Sequence, residues 1–465
     1  MSEVLMIVID SKEHFYLQIY EHFKSKIRSG ELLKNAKLPS KRQLANQLGV
    51  SINTVDTAYA QLVSEGYVES QERRGFFVCA LESQRELKSD KELLSSEVSI
   101  PSEKKYIVDF SPTDIDLDHF PFALWRKLLR RCFDADDTNL LKRSPLQGNT
   151  SLREELRYYL YNSRGVNCRM EQIVIGAGTD ALLDRLAEMF KNAAIAVENP
   201  LHSNAYRIFD AAGCSVLPIP LDSKGLDIRH LPMSGVQAVY VTPSHQFPMG
   251  ISMPIGRRME LLNWAVTSNA YIIEDDYDSE FRYNSRPLPS LQGMDNYERV
   301  IYLGTFSKSV APSLRVGYMV LPEHLLGMYN EHNRFLGSFV STFEQLILAE
   351  FMSNGHFERH INRMRKIYRS KRDVILQELS AYTDVVEVLG EDAGQHILIE
   401  VKGTKTADCL VESAKQNQIK VYSLSNYYIG KLPALYEKHV LLGYGGLSSE
   451  KIVMGVRALM RSWQS

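Results

Sequence analysis

The 465-residue sequence lacks the long apolar runs and the cysteine patterns that mark several classes of protein. No apolar run reaches the length of a membrane span, and the N-terminus shows no cationic flank followed by a long apolar core, so we expect neither a membrane partner nor a signal peptide. The five cysteines are scattered, odd in number and without metal-ligand spacing. This pattern argues against a disulfide framework and a metal site, and predicts a cytoplasmic protein.

A strong charge of either sign is also missing. The formal net charge of -2 gives no global electrostatic reason to bind nucleic acid, so any basic surface must be local. The contents of 44% hydrophobic and 24% charged residues are those of a soluble globular protein. At 53.0 kDa the chain is too long for one ordinary core, and two or three domains are expected.

The first eighty residues have helical periodicity interrupted by tight turns. Three helices are predicted: roughly Glu13–Ser29, Lys41–Leu48, and about Asn53 to Glu65. Ser40 and Ser51 are suited to cap the second and third helices, and Gly49 to end the second. Two short helices joined by a tight turn form the helix-turn-helix pattern. The alternating segments Tyr67–Ser70 and Phe76–Cys79 predict a small hairpin, or wing, after it.

A local basic patch accompanies this pattern. Seven cations and one acid, Glu31, lie between residues 24 and 42; the cations are Lys24, Lys26, Arg28, Lys34, Lys37, Lys41 and Arg42. Such a patch beside a recognition helix suits DNA phosphates, and short polar residues at the start of the third helix suit base edges. The alternative is a small helical interaction module with a solvated basic face.

Three segments carry a family resemblance: 39–45 (PSKRQLA), 48–55 (LGVSINTV) and 58–67 (AYAQLVSEGY). They resemble the winged helix of GntR-type repressors. The resemblance implies a double-stranded DNA operator as partner. By it, the DNA-binding residues are Arg42, Ser51, Asn53, Thr54 and Gly75.

Composition changes after this first domain, which we place at residues 1–80. Residues 81–105 are rich in Ser, Glu and Lys, with few aromatics and no sustained period, so a flexible linker is predicted. From residue 106 to 465 strands and helices alternate. Five buried strands are predicted in the first part of this region: Gln172–Ile175, Ala194–Val197, Ala238–Val241, Tyr271–Ile273 and Val300–Leu303. Three more strands are predicted near its end: Gln395–Val401, Lys420–Tyr422 and Val440–Gly443. This α/β alternation indicates a mostly parallel sheet with ligands at the carboxyl ends of its strands.

The stretch 300–318 (VIYLGTFSKSVAPSLRVGY) follows the strand Val300–Leu303 with hydroxyls around a single lysine. A lysine just past a buried strand and near the fixed cation Arg315 is placed to lose its proton and attack a carbonyl. Thr305, Ser307 and Arg315 are suited to hold a phosphate. Together they indicate a pyridoxal 5'-phosphate pocket in which Lys308 forms the Schiff base. Taken alone, such a run is more often a polar loop with a surface lysine than a cofactor site.

Two further strand ends carry matching chemistry. Gly178, Thr179 and Asp180 lie where a strand turns into a helix, so their backbone N–H groups are suited to a phosphate. Asp275 follows the strand 271–273, and a pyridoxal site needs one carboxylate for the pyridinium nitrogen; Tyr277 is suited to the cofactor's phenolic oxygen. Each feature alone has a structural explanation, a tight turn or a helix cap. The occurrence of the phosphate-binding turn, the carboxylate and the lysine in this order along the chain is a more specific signal than any one of them.

This region resembles fold-type I aminotransferases, and the whole chain is identified as similar to the MocR family, in which such a domain follows a GntR-type head. The matching pieces include 144–148 (SPLQG), 242–248 (TPSHQFP), 274–281 (EDDYDSEF) and 305–318. The resemblance implies large and small domains, the small one from about residue 345, and a homodimer. By it Lys308 is the aldimine lysine, Asp275 pairs with the ring nitrogen, His202 stacks on the ring, and the phosphate is surrounded by Thr179, Asp180, Thr305, Ser307 and Arg315.

The chain departs from these patterns at two places. Phe247-Pro248-Met249-Gly250 stands where aminotransferases have an Asn-Pro-Thr-Gly turn. By resemblance the effector-binding positions are Asn204, Arg315 and Asn426. Asn204 and Asn426 correspond to arginines in the branch of the family that senses γ-aminobutyrate. An asparagine cannot replace the bidentate pair that arginine forms with a carboxylate.

Two functions remain open from the sequence. The favoured one is a transcription regulator that senses a small amine or amino-acid-like effector by aldimine exchange at Lys308. The alternative is a catalytically active aminotransferase with an accessory DNA-binding domain. The winged helix favours the first, and the pair of Lys308 and Asp275 permits the second.

Overall fold

A computed structural model describes residues 14–80, 106–134, 138–283, 288–335 and 337–464. The chain divides into two compact units, one ending at Glu103 and the other beginning at Lys104. The predicted linker at 81–105 lies outside the described residues. Within the described ranges, no helix combines the length and the apolar character needed to cross a membrane.

The N-terminal unit is a three-helix fold with a two-stranded wing. Its elements are α1 (Phe15–Arg28), α2 (Lys41–Leu48), α3 (Ile52–Ser64), β1 (Val68–Gln71) and β2 (Gly75–Val78). The side chain of Ser40 accepts the amide N–H of Gln43, and that of Ser51 accepts the amide N–H of Thr54, so both predicted caps are present. Gly49 ends α2 at a φ of 65°, a left-handed conformation that costs glycine little. The predicted winged helix-turn-helix is confirmed.

The core of this unit explains why the helices pack as they do. Phe23 of α1 and Tyr59 of α3 are fully buried, with ring centroids 5.8 Å apart in an edge-to-face arrangement. The hydroxyl of Tyr59 donates to the backbone oxygen of Pro39 at 3.0 Å, which ties the turn before α2 to α3. β1 and β2 pair antiparallel, with Val68 opposite Val78.

The C-terminal unit alternates strands and helices. Its strands are β3 (Val108–Asp109), β4 (Ile173–Gly176), β5 (Ala194–Asn199), β6 (Ser215–Asp222), β7 (Gly225–Leu226), β8 (Ala238–Val241), β9 (Tyr271–Asp276), β10 (Val300–Thr305), β11 (Gly317–Val320), β12 (Val386–Leu389), β13 (His396–Val401), β14 (Ile419–Lys420), β15 (Tyr422–Ser423) and β16 (His439–Gly443). Its helices are α4 (Phe122–Asp134), α5 (Thr150–Arg164), α6 (Thr179–Met189), α7 (Ser203–Ala211), α8 (Ile255–Thr267), α9 (Leu291–Met294), α10 (Leu326–Asn333), α11 (Thr342–Ser353), α12 (His356–Leu379), α13 (Ala407–Gln416) and α14 (Ser449–Gln464).

The large sheet has the order β4-β11-β10-β9-β8-β5-β6-β7. The pairs from β10 through β6 are parallel, while β11 is antiparallel to both of its neighbours. Apolar cores lie on both faces, one containing Leu186 of α6 and the other Leu261 of α8. The predicted fold-type I architecture, with its mostly parallel sheet, is confirmed.

Three strands of this sheet, β6, β7 and β11, were not predicted, and β7 has only two residues. β6 contains Pro218 and Pro220, which remove ladder donors and break the strand pattern, and it runs beside the parallel strand β5 near one edge of the sheet. β11 has only four residues, so its apolar run is too short to be distinguished from a buried turn.

A second, antiparallel sheet has the order β12-β13-β16-β15, and β3 pairs with β14 beside it. The predicted start of the small domain near residue 345 does not coincide with the change in packing. Ile347 of α11 and Tyr368 of α12 pack in the core of the large sheet, whereas Ile375 of α12 packs in the core of the small one. The change therefore falls within α12, because one continuous helix runs through both cores.

Candidate functional site

A cavity of about 260 Å³ opens at the carboxyl ends of the parallel strands. Ten of the predicted site residues line it: Thr179, Asp180, His202, Asn204, Asp275, Tyr277, Thr305, Ser307, Lys308 and Arg315. The rest of its wall is formed by Pro112, Thr113, Leu183, Ala205, Tyr240, Thr242 and Phe247. The sheet topology explains the convergence, because adjacent parallel strands end on the same side.

Asp275 is the carboxylate at the end of β9 that faces this cavity. Oδ2 accepts a hydrogen bond from the hydroxyl of Tyr240 at 2.6 Å, whereas Oδ1 is buried and has no hydrogen-bond partner among the described residues. Burial raises the pKa of Asp275 to about 7, against the opposing effect of the Tyr240 hydrogen bond. The free oxygen of this carboxylate is suited to a ligand that brings a positively charged N–H donor.

The other acids of the same segment are engaged elsewhere. Glu274 accepts the amide N–H groups of Leu291 and Gln292, at 2.9 and 3.0 Å. Asp276 is ion-paired with Arg164, from Nε to Oδ2 at 2.7 Å. Successive side chains of a strand point to opposite faces, so only one of three adjacent carboxylates reaches the cavity.

Lys308 follows β10 and directs its amine toward a distant part of the chain. Nζ donates to the backbone oxygens of Pro112 at 3.2 Å and Thr113 at 2.9 Å. Burial lowers the pKa of Lys308 to about 8, while the carboxylates of Asp278 and Asp114 act in the opposite direction. About a tenth of a lysine with this pKa is in the neutral, nucleophilic form at pH 7.

The N-terminus of α6 and Arg315 form a cradle for an anion. Gly178 caps α6 at a φ of 86°, and a Cβ built on it would lie 3.1 Å from Nη2 of Arg315. Arg315 Nη2 lies 3.4 Å from Oδ2 of Asp180 in the first turn of the helix. On the opposite wall, the amide N–H of Ser307 donates to Oγ1 of Thr305 at 3.1 Å. Backbone N–H groups, a helix dipole and a guanidinium meet here, as phosphate binding requires.

The aromatic side of the cavity is built by His202 and Phe247. Their ring centroids are 5.5 Å apart, and burial lowers the pKa of His202, so its ring is mainly neutral. The Phe247 ring also contacts the rings of His396 and Tyr427, at 5.2 and 5.1 Å, which belong to the small sheet and the turn beside it. Phe247 thus joins the cavity wall to the small domain.

The hydroxyl of Tyr277 has a protein acceptor. It donates to the backbone oxygen of His245 at 2.8 Å. Only its lone pairs therefore remain available to a ligand in this arrangement. Its role toward a phenolic oxygen stays a prediction.

Two predicted site residues, Gly178 and Asn426, are not part of the cavity lining; Gly178 lies next to Thr179, which is, and Asn426 lies further along the chain. It lies on the 424–427 turn with its side chain exposed. The turn itself is close, because the backbone N–H of Leu201 donates to the oxygen of Tyr427 at 2.9 Å. Asn426 itself is not among the lining residues, and its effector role stays a prediction.

Sequence reasoning missed several residues that shape the site. Tyr240 has the pattern of an ordinary apolar strand residue. Pro112 and Thr113 lie 196 and 195 positions before Lys308, so no local pattern connects them with it. Glu198 is fully buried and accepts bonds from the backbone N–H and the hydroxyl of Thr242, at 3.0 and 2.8 Å. It thereby fixes the turn that carries Phe247. Its position at the end of a parallel strand was the one available signal.

In the N-terminal unit the predicted DNA-binding residues lie on two elements and the wing. Arg42 and Asn53 are exposed, on α2 and at the start of α3. The hydroxyls of Ser51 and Thr54 lie 2.8 Å apart and form the α3 cap, which gives both a structural role. Gly75, at a φ of 114°, leaves room for Lys37, whose Cε would lie 3.2 Å from an added Cβ. Within the basic patch, Lys24, Lys26 and Lys41 are ion-paired with acids.

Comparisons with known proteins agree with both units. The family "Bacterial regulatory proteins, gntR family" matches residues 15–78, and "Aminotransferase class I and II" matches residues 107–442. An uncharacterized HTH-type transcriptional regulator of Bacillus subtilis (strain 168), YdeL, is 41% identical over 452 residues, which cover 97% of this chain and 96% of YdeL. The probable rhizopine catabolism regulatory protein MocR of Rhizobium meliloti is 30% identical, covering 98% of this chain and 95% of that protein.

Two further matches are a third regulator and a solved aminotransferase structure. The pyridoxine biosynthesis regulator PdxR of Corynebacterium glutamicum is 32% identical over 415 residues, covering 89% of this chain and 88% of that protein. Among solved structures, kynurenine aminotransferase of Pyrococcus horikoshii superposes with a TM-score of 0.70 at 24% identity, covering 80% of this chain and 96% of that one. The second match shows the fold alone.

Proposed function

Because this chain belongs to the GntR family of regulators that carry a class I and II aminotransferase domain, the MocR type, we propose that it is a pyridoxal phosphate-dependent transcription regulator. Its N-terminal unit binds an operator in double-stranded DNA. Its C-terminal unit binds a small effector that carries an amino group, which takes the place of Lys308 on the cofactor. The protein acts as a homodimer in the cytoplasm.

One observation carries the cofactor assignment. The buried Asp275 Oδ1, which has no hydrogen-bond partner in the part of the chain that the structure describes, belongs to the same cavity lining as Lys308. Pyridoxal phosphate matches both, because its protonated ring nitrogen is a cationic donor and its aldehyde reacts reversibly with amines. The phosphate would be held by the N-terminus of α6, Arg315, Thr305 and Ser307. Asp275 orients the ring, and Lys308 holds or releases a proton at Nζ.

The residues at the mouth of the cavity indicate the kind of effector. Asn204 lines the wall near His202, and both can exchange neutral hydrogen bonds with a ligand. Asn204 cannot form the bidentate, charge-assisted pair by which an arginine holds a carboxylate. The proposal is therefore an amine whose distal group makes neutral hydrogen bonds rather than a γ-aminobutyrate-like carboxylate.

Signal transfer is proposed to run through Phe247. This side chain lines the cavity and contacts His396 and Tyr427 of the small domain. An effector that fits one position of the Phe247 ring better than another favours one arrangement of the small domain. Only such differential contacts can change DNA affinity.

The test is a spectral titration of the full-length protein with pyridoxal phosphate and then with amines, followed by DNA binding. The expected result is an imine absorbance, trapped by borohydride at Lys308, and a DNA affinity that changes with an amine without turnover. Lys308→Ala should lose the absorbance, while replacing the exposed Lys224 by Ala should keep it. A holo-protein with no trappable adduct at Lys308 would refute the proposal.

The alternative, an active aminotransferase, is supported by the same pair of Lys308 and Asp275. The wall residue Phe247 disfavours it, because a phenyl ring cannot supply the hydrogen bond of the asparagine that ordinary aminotransferases have in this turn. Multiple turnovers with an amino donor and a keto acid would establish this alternative. A Phe247→Asn variant should then cycle faster than the wild type.

A further inference from the structure

A row of cations covers the exposed side of α4, far in sequence from the DNA-binding head. Arg126, Lys127, Arg130 and Arg131 are all exposed and, with Ala123, line a shallow groove of about 420 Å³. None of them lines the cofactor cavity. We call these four residues, together with Arg359 of α12, the α4 surface.

The helix that carries these cations is firmly docked. Leu128, on its other face, is 1% exposed, and Trp125 packs edge-to-face on Phe351 of α11 with ring centroids 5.5 Å apart. An anchored helix holds its charges at fixed positions, so their binding partner meets a preorganised surface.

The cationic surface continues onto the start of α12. His356 stacks on Phe351, and Arg359 Nη2 lies 2.7 Å from Nδ1 of His356 and 2.7 Å from the backbone oxygen of Asn354. The pKa of His356 is lowered by burial and then by the charges of Arg359, Lys127 and Arg131, while Glu350 acts in the opposite direction. The α4 surface is therefore one continuous patch.

The charges of this patch are mostly unneutralised. Arg131 pairs with Glu350 at 2.9 Å. Within the ranges that the structure describes, Arg126, Lys127 and Arg130 have no ion-pair partner. Such a concentration is notable in a chain whose net charge is -2, because it creates a local positive field despite the overall balance.

We propose that the α4 surface binds the phosphate backbone of duplex DNA, as a contact additional to that of the winged helix. Arg126 and Arg131 are five positions apart, about 7.5 Å along the helix axis, and a duplex presents about one phosphate charge for each 1.7 Å of its own axis. The cations of the α4 surface are complementary to the DNA phosphates, and this contact does not depend on the base sequence. A second copy of the chain fits less well, since a two-fold contact centred here would oppose arginine to arginine.

This inference rests on the proposed DNA binding and adds a second contact to it. The test uses the full-length protein with mixed-sequence duplexes of about 20 and about 60 base pairs, titrated between about 50 and 200 mM salt. The variant is Arg126→Gln with Arg130→Gln. The matched control is Lys451→Gln with Arg461→Gln, which removes two exposed cations from α14.

The expected result is specific to the longer duplex. The α4 variant should reduce the slope of log affinity against log salt by about 0.9 for each lost cation, thus about 1.8, and the α14 control should leave it unchanged. If the slope is unchanged in the α4 variant while Arg42→Gln loses affinity, the α4 surface does not bind DNA, but the winged helix does. A wild type that binds neither duplex would instead refute the proposed function.

Sedimentation of the α4 variant tests the other possible occupant of the α4 surface, a second copy of the chain. Unchanged subunit association, together with the reduced salt slope, supports the DNA contact. Weakened association with an unchanged salt slope would show a subunit interface and overturn the proposal. All four substituted cations are exposed, so the variants should fold as the wild type does, and their thermal melting confirms it.

Discussion

The hydroxyl of Tyr240 donates to Oδ2 of Asp275 at 2.6 Å and joins the ends of the adjacent parallel strands β8 and β9. This bond holds the carboxylate in one orientation and leaves Oδ1 to the cavity. It also favours the ionised form of Asp275, which burial disfavours. The protonation state of the Asp275 carboxyl group, which would pair with the ring nitrogen of the proposed cofactor, therefore depends on a residue of the neighbouring strand.

Tyr240→Phe tests this relationship. Without the hydroxyl the pKa of Asp275 rises above about 7, so the carboxyl is protonated at neutral pH and pairs less well with a cationic ring nitrogen. A hydrogen bond to a charged group contributes about 1.5–3 kcal/mol, so the Kd for pyridoxal phosphate should rise at least about tenfold. Fluorescence titration measures it. Tyr271→Phe, which removes a hydroxyl bonded to His324, should leave the Kd unchanged.

The attachment rate of pyridoxal phosphate should follow the neutral fraction of Lys308. With a pKa of about 8, the rate should rise about tenfold per pH unit below pH 8 and level off above it. Asp278 raises this pKa, so Asp278→Asn should move the midpoint to lower pH. Asp114→Asn should move it in the same direction by less. Stopped-flow absorbance across this pH range gives the midpoints, and a midpoint that rises in Asp278→Asn would contradict the assignment.

Gly178→Ala should weaken cofactor binding. The residue has a φ of 86°, which strains any L side chain, and its new Cβ would press on Arg315 at 3.1 Å. The strain distorts the start of α6 and the contact displaces the Arg315 guanidinium. We therefore expect the affinity for pyridoxal phosphate to fall at least about tenfold. Gly256→Ala is the matched control, because a Cβ there meets nothing within 4 Å and its φ is not positive. Equal losses in the two variants would exclude a specific role for Gly178.

Asn53→Ala should reduce sequence discrimination by the reading head. Asn53 is exposed at the start of α3, where a side chain of a recognition helix reaches base edges, and each such contact is worth about 1–3 kcal/mol. Competition between a selected operator and random duplex should therefore lose at least about fivefold in preference. Ser64→Ala, at the exposed end of the same helix, provides the control. Unaltered discrimination in Asn53→Ala would show that other residues read the bases.

Local patterns were sufficient to predict the N-terminal unit. Serine and glycine act within a few residues of themselves, so the caps at Ser40 and Ser51 and the end at Gly49 could be placed from their neighbours alone. The order of the cofactor elements was predictable for a similar reason. A buried strand followed by Asp275, and the next strand followed by Lys308, are both readable from apolar runs and the polar residues after them.

Position in the sequence could not indicate which side chains meet across the fold. The carbonyls that hold the Lys308 amine come from Pro112 and Thr113. The small-domain core includes Val108 of β3 and is then joined within α12 at Ile375 rather than near residue 345. Tyr240 has the pattern of any core residue until its hydroxyl is found beside Asp275. The caps, the strand ends and the chemistry at those ends thus follow from the sequence, because they depend on neighbours along the chain. The tertiary structure alone decided which carboxylate oxygen is left unpartnered, because burial and pairing depend on residues distant in sequence.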